Sequence, residues 1–521
     1  MVIYPMGYSL DICSNILLMT DTSTAPVRIT HLIGHQYWDG VAERTSPVFN
    51  PATGRQTGVL DLASKDLVDE VVARAAKAAK LWGSTSLTRR TRVLFAFREL
   101  LNRNKQRIAE IITAEHGKVT SDAVGEVSRG LEVVEFACGI PHLLKGGHSE
   151  NVSTKVDAYS IFQPLGVVGV ISPFNFPAMV PMWFVPLAVA AGNAVIIKPS
   201  EKDPSAVNAI AELWREAGLP HDVINVVHGD KEAVDALLDN PTVKAISFVG
   251  STPIARYVYE RGTANGKRVQ ALGGAKNHML VLPDADLDLA ADAAVSGGFG
   301  SAGERCMAVS VVLAVDSIAD QLVAKIAERV RTLKTGDGST GCDMGPIVTR
   351  EARDRIAGYI DAGEDAGASL VIDGRKGPFL GDENGYFVGP TLFDNVRTDM
   401  SVYTDEIFGP VLSVVRVPGF TEGLDLINAS PYGNGTVIFT NDGGAARRFM
   451  TEVEAGMVGI NVPVPVPMAF YSFGGWKASL FGDTHAHGVE GIHFYTRTKA
   501  ITQRWPDPSN RGLQLGFPQN T

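Results

Sequence analysis

The sequence predicts an α/β protein of two doubly wound domains with a small β oligomerisation arm, and three observations carry that expectation. At 521 residues the chain is too long for one hydrophobic core. Short β-branched runs alternate with helical segments in two separate series, the pattern of parallel sheets covered by helices. A strand-like, polar stretch over 479–505 suits pairing with another subunit better than burial in a core.

Taken in order, Ser64 precedes a run in which Leu67, Val68, Val71, Val72, Ala75, Ala76 and Ala79 recur at helical spacing, with the serine as cap. A second long amphipathic stretch covers 88–116. The period then changes: 167–171, 194–197, 223–227 and 245–249 are β-branched runs, with helical segments at 205–217 and 231–238 between them. After about Gly274 a second series begins, with strands at 279–282, 309–315, 436–440 and 458–461 and a helical segment over 321–333. Residues 1–28 lack a basic start, and Asp11 interrupts their apolar stretch, so they are expected to be a disordered extension rather than a signal peptide.

Composition narrows the function. Hydrophobic residues at 45% and charged residues at 20% are ordinary for a globular protein. A net charge of −10, with no Lys/Arg run, argues against a nucleic-acid partner. Four cysteines, Cys13, Cys138, Cys306 and Cys342, make neither a disulfide framework nor a zinc spacing, so a reducing, cytoplasmic setting is expected. No charged side chain occurs over 158–197, long enough to span a bilayer. Pro173, Pro177, Pro181 and Pro186 interrupt it, and Asn175 and Asn193 lie inside it; a strand, a loop, a short helix and a second strand fit better than a membrane span.

Several short segments carry chemistry. Cys306 follows the small-residue stretch from Ser296 to Gly303, where backbone can approach a ligand and present the sulfur; Arg305 beside it would favour the thiolate. A lone cysteine is more often a small buried hydrophobe, and its partners decide otherwise. Ser172-Pro173-Phe174-Asn175-Phe176-Pro177 holds an uncharged amide between prolines, able to donate to an oxyanion. Lys198 and Glu201 follow a strand, where a cation and a carboxylate suit dinucleotide ribose hydroxyls, the carboxylate favouring NAD over NADP. Gly250-Ser251-Thr252 opens a helix, an anion site for pyrophosphate without the usual glycine spacing. Glu406-Ile407-Phe408-Gly409-Pro410 offers a carboxylate and an aromatic in one turn.

In this order and at these spacings the segments resemble the aldehyde dehydrogenase superfamily from about Ile29 to Trp505. The resemblance implies Cys306 as nucleophile and Asn175 with the Cys306 N–H as oxyanion hole. It implies Ser172, Phe174, Lys198, Glu201, Lys202, Ser251, Gly273, Glu406 and Phe408 around NAD, and no metal. It divides the chain into an NAD-binding domain (29–144 and 165–274), a catalytic domain (275–470), an oligomerisation arm (145–164 and 479–505) and a tail (506–521), in a homo-oligomer, dimer or tetramer. Hydrolytic members carry a glutamate that activates water; here alignment puts Leu272, or with a one-residue shift Ala271, in its place. Neither takes a proton, which points to a thiol acceptor. With Gly-Ala-Lys-Asn-His at 274–278, Gly-Glu-Arg-Cys-Met-Ala at 303–308 and the Pro-rich 461–467, the chain is similar to the CoA-acylating methylmalonate-semialdehyde dehydrogenase branch. That branch implies coenzyme A as co-substrate and Arg129 and Arg305 on a substrate carboxylate. A hydrolytic semialdehyde dehydrogenase is the alternative, and a non-catalytic dinucleotide-binding relative the more distant one.

Overall fold

The computed structural model describes residues 25–505. Its first large sheet has eight strands, ordered Leu480–Phe481, Arg268–Leu272, Val243–Val249, Val167–Ile171, Ala194–Lys198, Ile224–Val226, Leu32–Ile33 and Gln36–Tyr37. The five strands from 268–272 to 224–226 run parallel, and their residues are almost all buried, as expected of strands covered on both faces. One face packs against helices Leu87–Arg103, Lys105–His116, Thr120–Cys138, Met179–Ala191 and Ser205–Glu216, with Phe97 stacked on Trp214 at 3.6 Å. The other face meets Lys65–Gly83, Lys231–Asp239 and Thr252–Ala264.

The second sheet has seven strands, ordered Ser369–Ile372, Thr391–Asp394, Val411–Val417, Val309–Val315, Asn277–Val281, Gly435–Phe439 and Met457–Ile460. It is parallel except at the first pair and has its own core. A three-stranded antiparallel sheet, Thr496–Arg504, Val156–Pro164 and His148–Ser153, stands apart from both.

Local expectation and structure agree closely at the first helix: Ser64 accepts from the Leu67 amide, and Val68, Val71, Val72, Ala75 and Ala79 are buried. They part at 88–116, which is two helices. Asn104 ends the first and begins the second, and its side-chain amide donates to the Leu100 carbonyl at 2.8 Å, competing with the helical ladder. The expected extension over 1–28 is too long by its last residues, because Val27–Ile29 pairs in parallel with Arg55–Leu62, a partner remote in sequence. Residues 1–24, with Cys13, lie outside the described residues, as does the tail from 506.

Within 158–197, Pro181 falls in the first turn of Met179–Ala191, where no helical N–H is lost, and Pro186 lies inside a helix whose every residue is buried. The stretch expected as one arm over 479–505 divides. Leu480–Phe481 joins the edge of the first sheet, Gly488–Phe494 is a helix, and only Thr496–Arg504 enters the small sheet. Burial decides this: Ile492, Phe494 and Tyr495 carry apolar surface into the first core, which an exposed arm could not cover. Among the described residues no helix is long and apolar enough to cross a membrane.

Candidate active site

Adjacent parallel strands bring their carboxyl ends to one edge, and four expected residues stand there in a row. Ser172 follows Val167–Ile171, Lys198 ends Ala194–Lys198, Ser251 follows Val243–Val249, and Gly273 follows Arg268–Leu272. The Lys198 ammonium is buried, donates to the Gly229 carbonyl at 3.1 Å and stands 3.6 Å from the Glu201 carboxylate. Burial pulls its pKa down, and the Glu201 charge opposes that. The Ser172 hydroxyl is buried without a hydrogen-bond partner, whereas the Ser251 hydroxyl is exposed and makes no capping bond at the start of Thr252–Ala264. Lys202 is exposed, its amide turned onto the Ser200 hydroxyl.

The second half of the molecule reaches this edge through Glu406, whose carboxylate accepts from the Ala275 amide at 2.7 Å. A Cβ at Gly274 would lie 2.3 Å from that carboxylate, so glycine alone allows the approach. Phe408 meets Phe174 edge to face at 5.8 Å. Lys276 is buried and donates to the carbonyls of Val402 and Asp405, tying down the turn that carries Glu406.

The nucleophile candidate is presented by a turn of unusual backbone. Ser301, Ala302 and Gly303 have φ of 52°, 52° and 72°, three successive residues in the left-handed region. At Gly303 a Cβ would sit 2.2 Å from the Gly409 carbonyl oxygen. Cys306 then follows, partly exposed, and its carbonyl accepts from Asn277 Nδ2 at 2.9 Å and Asn434 Nδ2 at 3.0 Å. A small cavity is lined jointly by Cys306, Glu406, Phe408, Ala275 and Asn277.

Cys306 keeps some exposed surface but its thiol is enclosed; that burial pushes it up to about 12, the Glu406 charge adds to this, and the Cys306 and Met307 amides and, last, the Arg305 charge oppose it. The Arg305 charge thus acts in the expected direction, towards the thiolate, but burial outweighs it. Its guanidinium is turned to Asp122 at 2.5 Å and packs over Gly300. Arg129, on the same helix as Asp122, is likewise engaged: it pairs with Glu132 at 2.8 Å and donates to the Pro467 carbonyl at 3.0 Å. Asp122 and Arg129 are seven residues apart on Thr120–Cys138, hence on one face, so both arginines border the same helix.

The aldehyde dehydrogenase family pattern matches residues 38–501. The chain belongs to the aldehyde dehydrogenase family. It is 56% identical over 478 residues to the malonate-semialdehyde dehydrogenase of Pseudomonas aeruginosa, covering 91% of this chain and 96% of that protein. A Geobacillus kaustophilus malonate-semialdehyde dehydrogenase is 48% identical over 93% of this chain and all of its own length. Among solved structures, methylmalonate-semialdehyde dehydrogenase from Oceanimonas doudoroffii is 53% identical, covers 93% of this chain and 99% of its own, and superposes with a TM-score of 0.91. A Sinorhizobium meliloti structure complexed with NAD is 51% identical over 93% of this chain and 99% of its own, with a TM-score of 0.92.

In this aldehyde dehydrogenase Asn175 is buried on the loop before Met179–Ala191. Its carbonyl accepts from Lys118 Nζ at 2.7 Å. Ala271 and Leu272, one of which the resemblance expects in place of a water-activating glutamate, are buried at the end of Arg268–Leu272. Sequence reasoning missed Lys118, Glu126 and Asn434, and gave no role to Asn277 or Glu304. Glu304 is fully buried two residues before Cys306, and burial pushes its carboxyl up to about 8. The only signal for such residues is a polar type inside an otherwise apolar or glycine-rich stretch, which does not identify the partner.

Proposed function

We propose that this chain oxidises malonate or methylmalonate semialdehyde with NAD and passes the acyl group to coenzyme A, with loss of CO2. The observation carrying the CoA-acylating reading is the apolar, buried pair Ala271 and Leu272 in place of a water-activating carboxylate. The relatives named for malonate and methylmalonate semialdehyde support the substrate class, and the relative complexed with NAD supports the cofactor.

The carboxyl edge fits a dinucleotide. An unpartnered buried hydroxyl at Ser172, a buried cation beside a carboxylate at Lys198 and Glu201, and a free helix start at Ser251 stand along it. Glycines at 273 and 274 let Ala478, Thr252 and Glu406 pack directly against the backbone there, which brings the Glu406 carboxylate to this edge. Lys202, Phe174 and Phe408 complete the proposed set. NAD, when bound, accepts the hydride that leaves the aldehyde carbon. Cys306 Sγ forms the bond to that carbon, losing its proton, and the Asn175 amide with the Cys306 N–H meets the charge on oxygen. Arg129 and Arg305 hold the substrate carboxylate, exchanging part of their present pairing with Glu132 and Asp122 for it. The resulting thioester is the electron sink when the β-carboxylate departs as CO2 and a proton takes its place. The CoA thiolate then displaces Cys306, returning the enzyme thiolate. The three-stranded arm sheet supports a homo-oligomer, dimer or tetramer, because its outer strands His148–Ser153 and Thr496–Arg504 are largely exposed and offer open edges for pairing.

The test is single-turnover mixing with malonate semialdehyde and NAD. Without CoA, a burst of NADH close to one per site should precede a slow steady rate. With CoA that rate should rise about tenfold or more, and mass spectrometry should find acetyl-CoA. A steady rate indifferent to CoA, with free acid as product, would overturn the acylating assignment in favour of hydrolysis.

A further inference from the structure

Lys118 is fully buried, and its ammonium is enclosed by three partners. Glu126 accepts at 2.7 Å with one carboxylate oxygen, the Asn175 carbonyl accepts at 2.7 Å, and the Phe176 ring centroid lies 4.4 Å away. The other Glu126 oxygen accepts from the amides of Ala178 and Met179 at 2.8 and 3.1 Å. The loop 175–179 is thus held at its beginning by the lysine and at its end by the glutamate, and the pair binds the two ends together.

The lysine's own backbone is anchored elsewhere. Gly117, with φ of 91°, ends Lys105–His116 in the left-handed conformation. The carbonyls of Gly117 and Lys118 are packed against Gly338 and Gly345 so closely that a Cβ on either glycine would fall within 2.1 to 2.6 Å of a carbonyl oxygen. The Thr120 amide also donates to the Gly338 carbonyl at 3.2 Å. One end of Lys118 is therefore wedged against loops on the second sheet's side, and its ammonium holds the loop that carries Asn175.

A buried ion pair is a costly way to hold a loop, and stability alone is a weak reason for one. We propose that Lys118, with Glu126, is a positioning residue for the oxidation: it fixes the Asn175 peptide so that the side-chain amide faces the reacting oxygen, and it acts on the reaction only through Asn175. The inference rests on the reading of Asn175 as the oxyanion donor. It adds the residues that aim the donor and the statement that they have no independent effect.

Because Lys118→Met alone leaves a buried carboxylate unpaired and endangers folding, the test uses Lys118→Met/Glu126→Gln, which removes both charges together. Gln keeps one oxygen for the Ala178 and Met179 amides. Four proteins are compared: wild type, Asn175→Ala, the Lys118/Glu126 variant, and the combination. The readouts are the rate of the NADH burst, NAD affinity by fluorescence titration, and melting temperature. Asn175→Ala should slow the burst by about a hundredfold or more. The Lys118/Glu126 variant should slow it by about tenfold or more, with KM and NAD affinity within about twofold of wild type, the mark of an interaction made in the transition state. In the Asn175→Ala background the same two changes should cost nothing further. The same fractional loss in both backgrounds would overturn the proposal, as would a wild-type burst rate in the Lys118/Glu126 variant. A near-normal burst in Asn175→Ala would instead remove the oxyanion reading itself, and this proposal with it.

Discussion

At the carboxyl edge of the first sheet, Ser172, Ser251 and Gly273 take their positions from where parallel strands end, and the Ser172 and Ser251 hydroxyls bond to nothing nearby. Around Cys306 the arrangement is the reverse. The loop leaves a helix through three left-handed residues, and its shape is imposed from outside by Asn277, Asn434, Asp122 and the Val348 amide. A strand end inherits its precision from the whole sheet and leaves its side chains free for a ligand. A loop without regular hydrogen bonds needs a separate partner for each polar group, so its precision is distributed over distant residues. Substitutions along the edge should therefore change binding and little else, while substitutions around the loop should change stability and turnover together.

The largest effect expected is from Cys306→Ala: turnover should fall to background while NAD binding by fluorescence titration stays near wild type, since the proposed cofactor contacts are elsewhere. Residual turnover within tenfold of wild type would remove the nucleophile assignment.

Asn277→Ala presses on the contrast itself. The side chain donates to the carbonyls of Cys306 and Ala308 and accepts from the Gly435 amide. Leaving buried groups unpaired costs about 1–3 kcal/mol each. We expect kcat to drop about tenfold or more together with a lower melting temperature, while Ser172→Ala, which breaks no bond, leaves the melting temperature unchanged. Equal melting temperatures for the two variants would erase the distinction.

Arg129→Leu should raise KM for the carboxylated semialdehyde by roughly tenfold, from a charge-assisted contact worth about 1.5–3 kcal/mol, and affect propanal far less. Equal losses for both aldehydes would make Arg129 a brace between its helix and Pro467 only. At the edge, Glu201→Gln should improve relative use of NADP by a few-fold, because a carboxylate repels the 2′-phosphate; a wild-type preference for NADP would defeat the ribose assignment.

The smallest effect concerns Glu304, next to the loop. Its folded pKa, about 8, lies above the ordinary value of 4.5. The folded state therefore holds the extra proton between these values. Its stabilising contribution is complete below about pH 4.5 and is lost as pH rises towards 8. Glu304→Gln has no such titration. Its melting temperature relative to wild type should rise between pH 5 and pH 8, by about 2–5 °C. A constant difference across that range would mean that Glu304 does not titrate there.

The sequence by itself determined the alternation of strand and helix, the helix capped by Ser64, the family, and the motifs at 172–177, 198–201, 303–308 and 406–410. These are legible because each depends on neighbours within a few residues: side-chain periodicity, a cap, a glycine where backbone must turn. Tertiary structure alone decided that 479–495 leaves the arm for the first sheet and core, and that Val27–Ile29 is ordered by pairing with Arg55–Leu62. It also decided that the Arg305 guanidinium pairs with Asp122 and that burial of Cys306 outweighs its charge, and that Lys118 and Glu126 are a buried pair under Asn175. The physical reason is common to all four. A charge or an edge strand is indifferent to its local pattern and is directed by whichever partner the packed chain brings within reach, and for 8 to 200 or so intervening residues that partner leaves no periodic trace.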